Sequence, residues 1–140
     1  MNKAEKMIDA IRPRPPINGD NRFFYDELKA GRVSVQGCSS CEELRHPPVP
    51  MCPSCHSLDW SPRQMSGEGE LISYVVMHHP IVPPFQDGYI VALIELTEGP
   101  RLVMNLEGIP EDDIEIGMKV EVTAHAVDDE LTLPMASPCA

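Results

Sequence analysis

CSSCEELRHPPVPMCPSC, from Cys38 to Cys55, sets two CxxC pairs ten residues apart and fills the gap with Pro47, Pro48 and Pro50. Each CxxC turn offers two sulfurs from one tight knuckle, and two such knuckles can enclose a single tetrahedral ion. The spacing C-x2-C-x10-C-x2-C is therefore that of a zinc ribbon, with Cys38, Cys41, Cys52 and Cys55 as the expected ligands of one Zn²⁺. The prolines hold the connecting segment in an extended path, which lowers the conformational entropy that folding of so small a module must overcome. Four thiolates leave no open coordination position, so the expected role of the metal is structural.

Other uses of the same cysteines have to be weighed. A rubredoxin-type iron centre takes the same four ligands, so an electron carrier stays open at this stage. Redox CxxC chemistry needs one reactive pair at a helix N-terminus in a βαβ setting, which a loop-rich module with two pairs does not provide. Disulfides fit poorly with an odd total of five cysteines. Glu42 and His56 stand just after the second Cys of each pair, where a knuckle usually carries Gly, and this puts the local hydrogen bonding in question. His56 could exchange for a thiolate, although four cysteines make that unnecessary. Cys139, near the end of the chain, reads as an unpaired tail thiol.

Outward from the cysteines the chain falls into three segments: a helical N-terminal segment (1–33), the ribbon (34–65), and a barrel with its tail (66–140). In the first, Asp20 or Asn21 can cap a helix whose apolar side is Phe23, Phe24, Tyr25 and Leu28, and Gly31 is placed to stop it. The clustered aromatic residues are more than so short a helix covers alone; they pack either on the protein's own core or in a partner's groove. After SGEGE, period-2 patterning predicts strands at Glu70–His78, Tyr89–Leu96, Arg101–Leu106, Met118–Ala126 and Leu131–Leu133. IPEDDIEIG reads as one helical turn begun by Pro110 and ended by Gly117. Five strands with a helical element between the third and fourth match an OB-fold barrel; a meander or SH3-like barrel would give similar patterning. The fold class expected is mainly β.

Charge is distributed unevenly. Residues 1–65 hold nine Lys and Arg against eight Asp and Glu, whereas residues 66–140 hold only Arg101 and Lys119 against fourteen carboxylates, a net −12. Such a barrel repels a polyanion, which counts against a single-stranded nucleic-acid binder, the main reading from another functional class. No apolar run is long enough to span a membrane and no secretory leader is evident, so the expected location is cytoplasmic. His78 and His79 are adjacent, and neighbouring strand residues point to opposite faces, so they are not expected to act together. No Ser-His-Asp set, phosphate loop or Rossmann glycine pattern occurs. An independent enzyme is not expected.

LKAGRV, CSSC, HPPVPMCPSC, Trp60, SGEGELISYVV, YIVALIEL and IGMKVEV occur in that order, over about residues 21–133. Together they resemble the zinc-ribbon/OB-fold family long catalogued as a domain of unknown function, whose members are accessory subunits of acyl-CoA enzymes. The resemblance implies a rubredoxin-like zinc ribbon followed by a five-stranded OB-fold barrel. It also implies a non-catalytic subunit in a hetero-oligomer with a thiolase, a thiolase-like aldolase or acyltransferase, or a hydratase, sharing coenzyme A or acyl-CoA with that partner. The cations available for CoA phosphates are Arg12, Arg14, Arg22, Arg32, Arg45 and Arg63, none of them singled out by the sequence. The helix with Phe23, Phe24 and Tyr25 and the loop Ile81–Phe85 are the expected partner-facing surfaces. The chain departs from the family pattern at the knuckle glycines and in its tail, PMASPCA.

Overall fold

Gly31 ends the aromatic-rich helix, and the way it does so sets the path into the ribbon. In the computed structural model, which describes residues 12–80 and 85–139, helix α1 spans Arg22–Lys29. Gly31 takes φ +86°, its N–H donates to Leu28 O at 2.9 Å, and the Arg32 N–H donates to Glu27 O at 2.9 Å. These two bonds make a Schellman end, which needs a left-handed residue that glycine supplies without steric penalty. The Arg32 guanidinium then returns to the Glu27 carboxylate at 2.6 Å and holds that carboxyl below its usual range. Asn21 occupies the N-cap position but does not cap α1 with its side chain. Its amide instead accepts from the Asn18 N–H and donates to Pro16 O, tying the proline-rich stretch to the helix start.

Three short strands follow: β1 (Ser34–Cys38), β2 (Leu44–Arg45) and β3 (Trp60–Gln64), in the antiparallel order β2-β1-β3. The sequence pattern did not mark them individually, because two are interrupted by Gly37 and Pro62 and one is only a residue pair. The remaining strands close a barrel: β4 (Glu68–Met77), β5 (Tyr89–Leu96), β6 (Arg101–Leu106), β7 (Lys119–Ala126) and β8 (Thr132–Pro138). Their order is β4-β5-β6-β8-β7, with β7 returning to β4 and β6 running parallel to β8. This is the OB connectivity, which decides against a simple meander. A register shift between Leu71 and Ser73 lets β4 bend so that one end pairs with β7 and its length with β5. The expected helical turn is a 3₁₀ turn, Glu111–Asp113, with Pro110 at its cap and Gly117 at φ +90°.

β8 differs from expectation: it begins one residue later than the predicted strand and runs on to Pro138. Pro134 and Pro138 made that stretch read as tail. Both lie opposite β7, at Ala124 and Val120, while Met135 and Ala136 form the parallel pairing with β6. Proline withholds its own ladder donor without preventing the residues between from pairing.

Ribbon and barrel are joined by one apolar core. Phe24 and Leu28 from α1, Val33 from the connection that follows it, and Val35 and Met65 from the ribbon belong to the same buried cluster as Leu71, Ile94, Leu102, Val120 and Ala136 of the barrel. Of the helix aromatics Phe24 is buried, 6% exposed, while Phe23 is half-buried with its ring 4.6 Å from that of Trp60. Tyr25 meets Phe24 edge-on at 5.4 Å. Among the described residues no helix is long and apolar enough to cross a membrane. Of the loop expected to face a partner, residues 81–84 lie outside the described residues, and Phe85 stacks on Tyr89.

Leu28→Ala removes a side chain that is 1% exposed at this junction. A loss of about 2–5 kcal/mol is expected from urea unfolding, in a single transition that reports ribbon and barrel together.

Candidate metal centre

Cys38 closes β1, and Cys41 follows in the turn before β2; Cys52 and Cys55 sit in the matching turn after the proline segment. The two turns repeat the same hydrogen bonds. The Glu42 N–H donates to Cys38 O at 3.0 Å and the Cys38 N–H to Glu43 O at 2.9 Å; the His56 N–H donates to Cys52 O and the Cys52 N–H to Ser57 O, both at 2.9 Å. The two residues in the glycine positions, Glu42 and His56, take φ +65° and +64°. The knuckles thus keep the glycine geometry without glycine, at about 1–2 kcal/mol of backbone strain per residue.

This geometry turns backbone amides onto sulfur and gathers the four thiols. Cys38 is pulled down to about 6, first by the Cys41 amide, with that of Ser40 also contributing. At Cys41 the Glu43 amide favours the thiolate, yet burial and the thiols of Cys52, Cys55 and Cys38 outweigh it and push the group up to about 12. Cys55 is also raised: the Ser57 amide opposes the shift, while Cys38 and burial prevail. Crowded thiols suppress one another's ionisation, and a bound dication removes that conflict.

The four Sγ atoms lie within 4.8 Å of one another, with Cys38–Cys55 at 3.5 Å and Cys41–Cys52 at 3.6 Å. A disulfide would bring sulfurs to about 2.0 Å. Metal–sulfur bonds of about 2.3 Å in a tetrahedron place sulfurs about 3.8 Å apart, so the cluster fits a tetrathiolate ion. Cys38 and Cys52 are fully buried while Cys41 and Cys55 are exposed, leaving one side of the cluster at the surface.

A residue that sequence reading passed over anchors the connecting segment. Gln36, 1% exposed on β1, accepts through Oε1 from Arg45 Nε at 2.8 Å and from the Val49 N–H at 2.9 Å. The proline run is thereby pinned at Val49 as well as stiffened. Its signal was weak: a lone glutamine between apolar neighbours.

The other candidates do not converge. Arg12 bonds Asn105, Arg14 pairs with Asp128, Arg32 with Glu27, and Arg45 with Gln36, so each of these four is held by a partner of its own. His78 lies just past β4, its Nδ1 2.8 Å from Asp87 on an exposed loop. Cys139 is exposed and apart from the cluster.

A knuckle-built thiol cluster on a three-stranded ribbon, sharing its core with a closed five-stranded barrel, defines a zinc-ribbon/OB-fold protein. Residues 26–61 match the family described as ChsH2, rubredoxin-like zinc ribbon domain, and residues 62–125 match ChsH2, C-terminal OB-fold domain. The chain belongs to this family. It is 50% identical over 136 residues to a probable enoyl-CoA hydratase alpha subunit of Thermomonospora curvata, a match covering 97% of this chain and 43% of that protein. A DUF35 domain-containing scaffold protein of Methanothermobacter thermautotrophicus is 33% identical over 96 residues, 66% of this chain and 71% of that one. Among solved structures, a chain of the Ltp2-ChsH2(DUF35) aldolase superposes with a TM-score of 0.87 at 50% identity, covering 91% of this chain and all of that one. The chain spans under half the length of the hydratase subunit it matches.

His56→Gly relaxes one strained knuckle while loosening the unfolded chain. The expected net gain is about 0.5–1 kcal/mol, read as a higher thermal midpoint of the metal-loaded protein.

Proposed function

We propose that this chain is a non-catalytic accessory subunit of an acyl-CoA-processing enzyme complex, whose partner is a thiolase, a thiolase-like aldolase or acyltransferase, or a hydratase. It scaffolds that partner and helps complete the CoA-ester site. The observation that carries the reading is the superposition on the whole ChsH2 chain of an aldolase complex. The strong acidity of the barrel half supports it, since a surface at −12 suits a protein better than a polyanion. The dispersed arginines support placing most of the CoA-phosphate contacts on the partner.

In this reading Cys38, Cys41, Cys52 and Cys55 hold one structural Zn²⁺. The ion neutralises the thiolates and fixes the two knuckles; with four sulfur ligands it has no position left for substrate. A compartment that keeps thiols reduced, such as the cytoplasm, suits the site.

Native mass spectrometry is expected to find one zinc per chain in a colourless protein, and Cys38→Ser to lose the metal and unfold the ribbon. A red protein containing iron would replace the structural-zinc assignment with an electron carrier. For the complex, turnover of a CoA ester by the catalytic partner is expected to fall about tenfold or more without this chain. Full activity of the partner alone would refute the accessory role.

A further inference from the structure

β5 is apolar on both faces. Ile90, Ala92, Ile94 and Leu96 are buried in the barrel, while Tyr89, Val91 and Leu93 alternate with them and are half-buried. Strands apolar on both sides belong to sheets covered on both sides. Here Val91 lies opposite Val75 of β4 and Leu93 opposite Val103 of β6, and those two valines are 54% and 64% exposed. The four aliphatic side chains line a shallow surface groove of about 260 Å³.

In OB-fold proteins the face of the second and third strands takes oligonucleotides, by means of cations along the groove and aromatic platforms for the bases. On β4, β5 and β6 the only Lys or Arg is Arg101, paired with Glu95 at 3.2 Å at one end of the face; at the other end Arg12 bonds Asn105 of β6 and lies over Phe85, which stacks on Tyr89. The centre of the face is aliphatic. Dry contact with another apolar surface suits it, and stacked bases do not.

Electrostatics select among apolar partners. Both cations of the barrel half are already engaged, Arg101 with Glu95 and Lys119 with Glu70. A second copy would bring two chains of −11 together, and an anionic membrane surface would be repelled in the same way. We infer that the outer face of β4, β5 and β6 is the surface on which an acyl-CoA enzyme subunit docks, through a patch apolar at its centre and rimmed by Lys and Arg. The inference rests on the proposed function and adds to it the location of the interface and the character of the partner's surface.

The test uses the purified Ltp2 chain of the aldolase described above as probe. Wild-type chain is expected to bind it, and Val75→Glu and Val103→Glu to weaken binding about tenfold or more. Ile116→Glu, a control at a site 62% exposed elsewhere, is expected to bind like wild type. All three isolated variants are expected to keep the wild-type thermal midpoint. Normal binding by both valine variants overturns the surface and leaves the accessory role standing, whereas failure of wild type to bind overturns the inference for an aldolase partner of this kind. A midpoint lowered by several degrees in either valine variant means the chain covers this face itself, and a wild-type dimer dissolved by Val103→Glu means a second copy does; each overturns the inference.

Discussion

The shared core at the junction of helix, ribbon and barrel is the constraint on which the rest of the molecule depends. Phe24 and Leu28 pack together with Val33, with Val35 and Met65 from the ribbon, and with barrel residues such as Leu71 and Val120. A ribbon of three short strands buries too little apolar surface to stand alone, and a metal usually makes up the difference in modules of this size. Here the helix adds a second support by covering the ribbon's inner side and an end of the barrel at once. Gly67, between β3 and β4, completes the joint. It takes φ +87°, its carbonyl accepts the Val122 N–H at 2.7 Å, and a Cβ there would lie 2.7 Å from Val122 O.

This arrangement changes what the aromatic residues of the first segment can do. As sequence, Phe23, Phe24 and Tyr25 offered either a core contact or a partner surface; in the fold Phe24 is buried against His46, while Phe23, beside Trp60, and Tyr25 stay half-buried. Val75 and Val103 on the barrel's outer face stay more than half exposed, as do Leu58 and Ile116 elsewhere on the chain. The two valines are surrounded by a half-chain with fourteen carboxylates and two cations, so the barrel combines an aliphatic centre with a strongly anionic field. That combination disfavours phosphate chains and favours a protein with basic residues around an apolar patch.

Legibility followed the range of the interactions. The Cys-x2-Cys pairs announced a convergence of sulfurs, because a knuckle is a local hydrogen-bonded turn and its spacing is written in the chain. The alternation in ELISYVVM, RLVMNL and KVEVTAHA announced strands for the same reason, since side-chain direction along a strand has period two. Glu42 and His56 were harder. Their residue types argued against left-handed backbone, and the reciprocal bonds of each knuckle impose it regardless. The end of β8 was missed because its prolines are local signals, whereas its pairings with β6 and β7 join residues far apart in the chain.

By itself, then, the sequence determined the thiol cluster, the five barrel strands and the charge imbalance, all properties of residue type and near-neighbour spacing. Tertiary structure decided which apolar residues remain outside. YIVALIEL reads as a buried strand because both of its faces are apolar, and only closure of the barrel settles that one row enters the core while the other stays half-exposed. Folding of the ribbon likewise decided that Gln36 would tie down the proline segment through Arg45 and Val49. Those outcomes depend on which distant elements meet, and no local pattern records that.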